Sequence, residues 1–144
     1  MLILDTDHVS ILEWAHGEEY ARLQRRLDHL HAADLATTIV SYEEQTRGWL
    51  AYLAKARKLS QQIEAYRRLH RHLDVYQAIQ VLDFDERAAV EFQNLQHLRR
   101  GIGTADTRIA AIAISRQATL LTRNTVDFEQ VPGLRFADWT LPEA

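Results

Sequence analysis

The sequence predicts an α/β fold: a parallel sheet of about five short strands flanked by about seven helices. Two observations carry that expectation. Short apolar or β-branched runs (LIL at residues 2–4, LATTIV at 35–40, IQVL at 79–82, LLT at 120–122) alternate with longer stretches of helical periodicity. That alternation favours parallel strands covered on both faces. Five Gly and two Pro interrupt 144 residues, with no low-complexity or linker-like stretch, so residues 1–144 are expected to form one domain.

Taken in order, the first strand covers residues 2–5 and runs straight into carboxylates at Asp5 and Asp7. Residues 18–31 place Tyr20, Leu23, Leu27 and Leu30 three and four apart, a helix with one apolar stripe. After the β-branched strand at 35–40, Ser41 stands where a helix cap is expected, and Glu44 stands where it would complete a capping box. That helix is expected to pack Trp49, Tyr52, Leu53 and Ala56. A further helix from Ser60 sets Ile63, Tyr66, Leu69, Leu73 and Tyr76 on one side. A third strand at 79–82 precedes a helix over 86–100, stopped by Gly101. Thr104 is placed to cap the next helix, whose body at 109–114 is apolar on nearly every side and so expected to be buried. A strand at 120–122, a short helix at 125–130 and an edge strand at 134–136 complete the chain.

The absence of cysteine excludes disulfides, thiol catalysis and cysteine-ligated metal centres. No apolar run approaches the ~20 residues of a membrane span, and no basic region precedes an apolar stretch at the N-terminus. A soluble, cytoplasmic protein without membrane contact is expected. Net charge is −3, which gives no global attraction to nucleic acid. Residues 51–75 nevertheless hold six bases against two acids, while the flanking stretches hold 18 acids against 11 bases. This basic segment, with Arg67, Arg68 and Arg71, reads either as a solvated helix face or as a face for a polyanion.

Ligands of open parallel sheets sit beyond the carboxyl ends of the strands. Asp5 closes the first strand, Glu44 opens the helix after the second, Asp106 opens the buried helix, and Asn124 and Asp127 follow the strand at 120–122. Singly, each acid has a modest structural role open to it, such as a favourable charge at a helix N-terminus worth ~0.3–1 kcal/mol. Together they form an anionic rim, and the first basic residue after Asp5 is Arg22. Crowded carboxylates without a cation take up protons. Hard oxygen donors suit Mg²⁺ or Mn²⁺, which polarise a phosphoryl oxygen and generate hydroxide near neutral pH. The pairs His29/His31 and His70/His72 are two residues apart, which on a helix points them away from each other and disfavours zinc.

Four blocks carry a resemblance: LDTDH at the start, SYEEQTRG at 41–48, IGTADTRIAAIAI at 102–114 and LLTRNTVDFEQVPGLRFADW at 120–139. In order and spacing the chain resembles the PIN-domain ribonucleases and, within them, the VapC-type toxins of toxin–antitoxin pairs. The resemblance implies a PIN-like α/β/α sandwich and endonucleolytic cleavage of RNA dependent on Mg²⁺ or Mn²⁺. It assigns the main metal to Asp5 and Asp106, and Glu44 to the family's E-x-x-x-G glutamate, with Glu43 ranked below it. Where many relatives have Asp, this chain has Asn124, as in a subgroup that carries its acid at the position of Asp127. Asp7 stands where Asn is usual. Thr6, Thr122 and Asn124 are expected to support the four acids, and the basic segment to track the RNA backbone. A small antitoxin that folds on binding is implied as a partner. So is a homodimer, with the surface around Trp49, Tyr52 and Tyr66 as a candidate contact.

Two alternatives stand beside this. Asp5-Thr-Asp7-His-Val after an apolar strand fits the opening of a haloacid-dehalogenase-like phosphohydrolase, with Asp5 as nucleophile and Asp7 as acid/base. That family needs a late lysine, and the only lysines are Lys55 and Lys58. The other alternative is a non-catalytic PIN-like module that binds RNA or a protein.

Overall fold

In the computed structural model, which describes residues 1–98 and 101–143, the chain begins β1 (Leu2–Leu4), α1 (Thr6–Trp14), α2 (Glu18–Leu27), β2 (Leu35–Thr38). It continues α3 (Ile39–Lys55), α4 (Leu59–Ala78), β3 (Gln80–Leu82), α5 (Glu86–Gln96), and closes α6 (Thr104–Ser115), β4 (Thr119–Leu121), α7 (Thr125–Phe128), β5 (Arg135–Ala137). All strand pairs are parallel, in the order β3-β2-β1-β4-β5. The chain first winds from β1 towards β3, then returns to the other side of β1 through β4 and β5. The direction reverses between β1 and β4, and a crevice opens at such a point beyond the strand ends.

Alternation along the two central strands builds two cores. Ile3 and Leu120 face one side, where they pack with Ala88, Ile109, Ile112 and Phe128. Leu4 and Leu121 face the other, with Val9, Leu23, Val75 and Tyr76. Residues 109–113 are all buried, as the apolar character of that helix predicts.

Several sequence expectations are corrected. Helix α1 follows β1 after one residue and carries no clear apolar stripe, because it buries His8 and Glu13 beside Val9. Strand β2 ends at Thr38, whose side chain accepts the Ser41 N–H; Thr38, not Ser41, is the cap of α3. Helix α6 is capped by Gly103 without a side-chain bond, so Thr104 is its first residue. On α4 the expected apolar stripe is largely outward: Ile63, Tyr66 and Leu73 are exposed, while Ala65, His72, Val75 and Tyr76 are buried. A polar network, described below, takes the place of apolar packing there. Helix α5 ends at Gln96, and the expected last two residues of that helix, 99 and 100, lie outside the described residues.

Candidate active site

Asp5 leaves the end of the central strand and caps α1, with Oδ1 accepting the Thr6 N–H at 2.8 Å. Its Oδ2 accepts the Thr122 hydroxyl at 2.7 Å, which ties it to the end of β4 across the switch point. Only 4 % of Asp5 is exposed. Burial first, and the neighbouring Asp7 charge second, push its carboxyl up to about 7, against the lowering effect of the Thr122 and Thr6 hydrogen bonds.

Because Thr38 caps α3, Glu44 is released from the capping box predicted for it. Its Oε1 instead accepts the Thr6 hydroxyl at 2.9 Å, and that hydroxyl also lies 3.1 Å from the Ser41 oxygen. The residue after Asp5 therefore aims the glutamate of α3. Glu43 points to solvent and pairs with Arg47 one turn on.

Asp106 sits in the first turn of α6 and Asp127 in α7. Asn124 joins them: its Nδ2 donates to Asp127 Oδ2 at 3.0 Å and stands 3.4 Å from Asp106 Oδ2. A neutral donor at this position thus separates two carboxylates instead of adding another. Burial and the charges of Glu44, Asp127 and Asp7 raise the Asp106 carboxyl above its ordinary range. Thr122 organises the turn, donating to Asp5 and accepting the Asn124 N–H at 3.0 Å.

Sequence reasoning left the role of Asp7 unassigned and missed that of His8. The His8 ring is fully buried, with Nδ1 2.7 Å from Asp7 Oδ1. Its Nε2 faces the Trp139 N–H at 3.3 Å, so Nδ1 carries the proton and donates to Asp7. Asp7 Oδ2 accepts the Arg123 N–H at 2.9 Å. A His directly after a strand-ending D-x-D, in a helix without an apolar stripe, was the available signal. His72 was missed as well: it is buried between Glu13 Oε1 and Thr46 Oγ1, each 2.8 Å from one ring nitrogen. His70, two residues earlier, is exposed, as the helical spacing predicts.

Asp5, Glu44, Asp106 and Asp127 meet at one rim together with Thr6, Thr122 and Asn124. Among the described residues, no Lys or Arg forms an ion pair with any of these four acids. Arg123, which precedes Asn124, turns its guanidinium to Glu19 of α2 at 2.9 Å, Arg47 pairs with Glu43, and Arg108 lies 5.5 Å from the centre of the Phe92 ring. Uncompensated charge of this kind, on hard oxygen donors, fits a divalent cation. Among the described residues, no three carboxylate or imidazole groups already form a ligating shell.

The structure does not bring Arg67, Arg68 and Arg71 to this rim. Arg67 and Arg68 pair with Glu64 on their own helix. Arg68 lies 3.8 Å over the Trp14 ring, and Arg71 faces the carbonyls of Leu12 and Glu13. These last contacts, of Arg68 and Arg71, lie at the C-terminal end of α1, whereas Asp5 caps its start. Lys55 ends α3 and Lys58 caps α4, which leaves the phosphohydrolase alternative without its lysine beside Asp5.

Fold and rim together define a parallel α/β fold with carboxylates gathered at its switch point. The chain belongs to the PIN-domain family, whose pattern matches residues 3–134. It is 37 % identical over 65 residues to the tRNA(fMet)-specific endonuclease VapC of Salmonella typhimurium, and the match spans 42 % of this chain and 49 % of that protein. Against the protein of the same name from Shigella flexneri it is 41 % identical over 66 residues, 43 % of this chain and 50 % of the relative. The match thus spans about half the length of these curated relatives. Among solved structures, DNA-bound VapBC from Salmonella typhimurium matches with a TM-score of 0.77 at 25 % identity over 96 % of this chain and 97 % of the other. FitAcB from Neisseria gonorrhoeae matches with a TM-score of 0.71 at 26 % identity over 98 % and 100 %.

Proposed function

We propose that the protein is a divalent-metal-dependent endoribonuclease and the toxin of a VapBC-type toxin–antitoxin pair. The observation that carries this is the meeting of Asp5, Glu44, Asp106 and Asp127 at the switch point of a PIN-family sheet, with no basic residue paired to them among the described residues. Asp5 and Asp106 are the residues that would hold Mg²⁺ or Mn²⁺. When bound, such an ion polarises a phosphoryl oxygen and lowers the pKa of a bound water.

The chain's own groups supply the rest. Thr6 fixes Glu44 through Oε1, and the second oxygen orients the attacking water and accepts its proton. Asn124 holds Asp106 and Asp127 apart, and Thr122 holds Asp5. In-line attack joins the water oxygen to phosphorus and breaks the bond to one ribose oxygen, which takes a proton from solvent water, and Glu44 returns the proton it accepted to solvent.

The curated relatives are named for tRNA(fMet), and that RNA is the first substrate to test. Cleavage is expected only with Mg²⁺ or Mn²⁺, and Asp106→Asn is expected to lower it by ~10²-fold or more while the fold persists. Cleavage without metal, or undiminished in the variant, overturns the assignment. RNA binding without cleavage by the unmodified protein supports the non-catalytic module instead.

The likeness to toxin–antitoxin complexes supports a small antitoxin that folds on binding and sets a basic side chain among the acids. Exposed Leu50, Tyr52, Ile63 and Tyr66 on α3 and α4 form an apolar surface suited to such a partner or to a second copy. No helix among the described residues is long and apolar enough to cross a membrane; a cytoplasmic location goes with the toxin assignment.

A further inference from the structure

The turn that follows β4 is held residue by residue. The Thr122 hydroxyl donates to Asp5 at 2.7 Å, the Arg123 N–H to Asp7 at 2.9 Å, and the Asn124 amide to Asp127 at 3.0 Å. The backbone of Arg123 therefore stands between two residues that touch acids of the rim, its Cα ~3.8 Å from the Cα of each. Its guanidinium turns to the start of α2, where Nη1 and Nη2 donate to the two oxygens of Glu19 at 2.9 and 3.3 Å.

Several features make this pair exchangeable. Both side chains are nearly half exposed, 47 % and 46 %, so water competes for each partner and the bridge contributes little to the fold. Glu19 lies in the first turn of α2, where the helix N-terminus favours its charge with or without the arginine. The contact is a fork on two oxygens of one anion, and a phosphate presents the same pair of acceptors. Asp7 fixes the backbone beneath, so the guanidinium moves by rotation of its own stem.

An RNA laid across the carboxylates brings its flanking phosphates beside this turn. Phosphates drawn to an anionic rim gain from a cation next to the acids and not among them, because the divalent-ion site then stays open. We propose that Arg123 is a substrate-binding residue: its guanidinium leaves Glu19 and holds a phosphate flanking the scissile one. Glu19 stands in for that phosphate until RNA arrives. This rests on the endoribonuclease assignment and adds a contact that sets the register of the strand.

The test has two arms, one of them independent of activity. Labelled tRNA(fMet) is titrated into the metal-free protein over a range of salt and followed by fluorescence anisotropy. Arg123→Ala is expected to weaken binding about tenfold and to reduce the slope of log affinity against log salt by ~0.7. Arg123→Lys keeps the charge without the fork, so the slope should persist while part of the affinity is lost. Glu19→Gln frees the guanidinium and is expected to strengthen binding about twofold, but to do nothing when Arg123 is already alanine. In the second arm, cleavage with Mg²⁺ should show the loss in Arg123→Ala on KM more than on kcat. Weaker binding in both Arg123→Ala and Glu19→Gln would make the pair a pin for α2 and overturn the proposal. A Glu19→Gln gain that survives in the double variant, or an unchanged slope in Arg123→Ala, overturns it too. A reduced slope in a protein that does not cleave leaves Arg123 on the RNA and removes the nuclease assignment. Cleavage with a slope and KM indifferent to Arg123 does the reverse.

Discussion

Nδ1 of the fully buried His8 donates to Oδ1 of Asp7 at 2.7 Å, and through Oδ2 the same carboxylate accepts the Arg123 N–H at 2.9 Å. Two neighbouring residues at the start of α1 thereby hold the turn that carries Asn124 and leads into Asp127. His8→Ala opens a buried cavity and leaves Asp7 Oδ1 without its donor, so a loss of ~2–4 kcal/mol is expected. Urea denaturation measures the loss, and hydrogen exchange at the Arg123 amide should accelerate beyond what global stability explains. Unchanged stability with unchanged exchange at Arg123 would contradict the latch.

The raised Asp5 carboxyl gives a pH dependence with a definite sign. Below pH ~4 Asp5 is protonated in both folded and unfolded chains and costs nothing. Between ~4 and about 7 the unfolded chain ionises while the folded one keeps its proton, so the metal-free protein loses stability as pH rises through that window. The full penalty, on the order of 4 kcal/mol at most, is present above it. Asp5→Asn is expected to remove this slope and to raise the metal-free Tm at pH 8. Asp7→Asn, which removes the second-largest cause, should lower the Asp5 pKa in a carbon-13 NMR titration. Mn²⁺ should raise the Tm of the unmodified protein at pH 8 and not that of Asp5→Asn. A metal-free Tm that climbs from pH 4 to 7 would speak against a strained Asp5.

On the far side of α1, Glu13, His72 and Thr46 link α1, α4 and α3 through two 2.8 Å contacts. Tyr42 stacks on the same imidazole at 5.3 Å between ring centres. Removing one partner of a buried pair strands the other, so His72→Ala should cost ~3–5 kcal/mol in chemical denaturation. RNA cleavage per folded molecule should be unchanged, because Glu13, His72 and Thr46 make their hydrogen bonds to one another and not to Asp5, Glu44, Asp106 or Asp127. Lost cleavage in fully folded His72→Ala would show that it does more than hold helices.

Arg68 and Arg71 are engaged with the end of α1, over the Trp14 ring and at its last carbonyls. Their joint replacement by Ala should lower the Tm by a few degrees through lost cation–π and helix-end contacts. The salt dependence of RNA binding should stay as it was. A slope of log affinity against log salt reduced by ~0.7 per residue would instead place them on the RNA path.

Much of the fold was legible because the strands are short apolar runs and the helices between them are long. The acids were legible as a set because each follows a strand or opens a helix. Other features were hidden for physical reasons. Helix α1 has no apolar period because it buries His8 and Glu13, polar residues whose partners include ones distant in the chain: Trp139 for His8 and His72 for Glu13. The cap of α3 was misplaced by three residues because Thr38, Ser41 and Glu44 all fit capping patterns; only the Thr6 hydroxyl, 38 residues away from Glu44, decides between them. The outward apolar stripe of α4 reads like a core stripe in sequence, since periodicity gives a face and not its direction.

The central claim is that Asp5 and Asp106, far apart in the chain, form one cation site that RNA cleavage requires. The measurement that tests it most directly is anomalous diffraction from crystals soaked in Mn²⁺. A peak within ligating distance of both carboxylates, absent from Asp106→Asn crystals under the same soak, is the predicted result. An ion bound elsewhere, or none at this rim in a protein that still cleaves RNA, would contradict it.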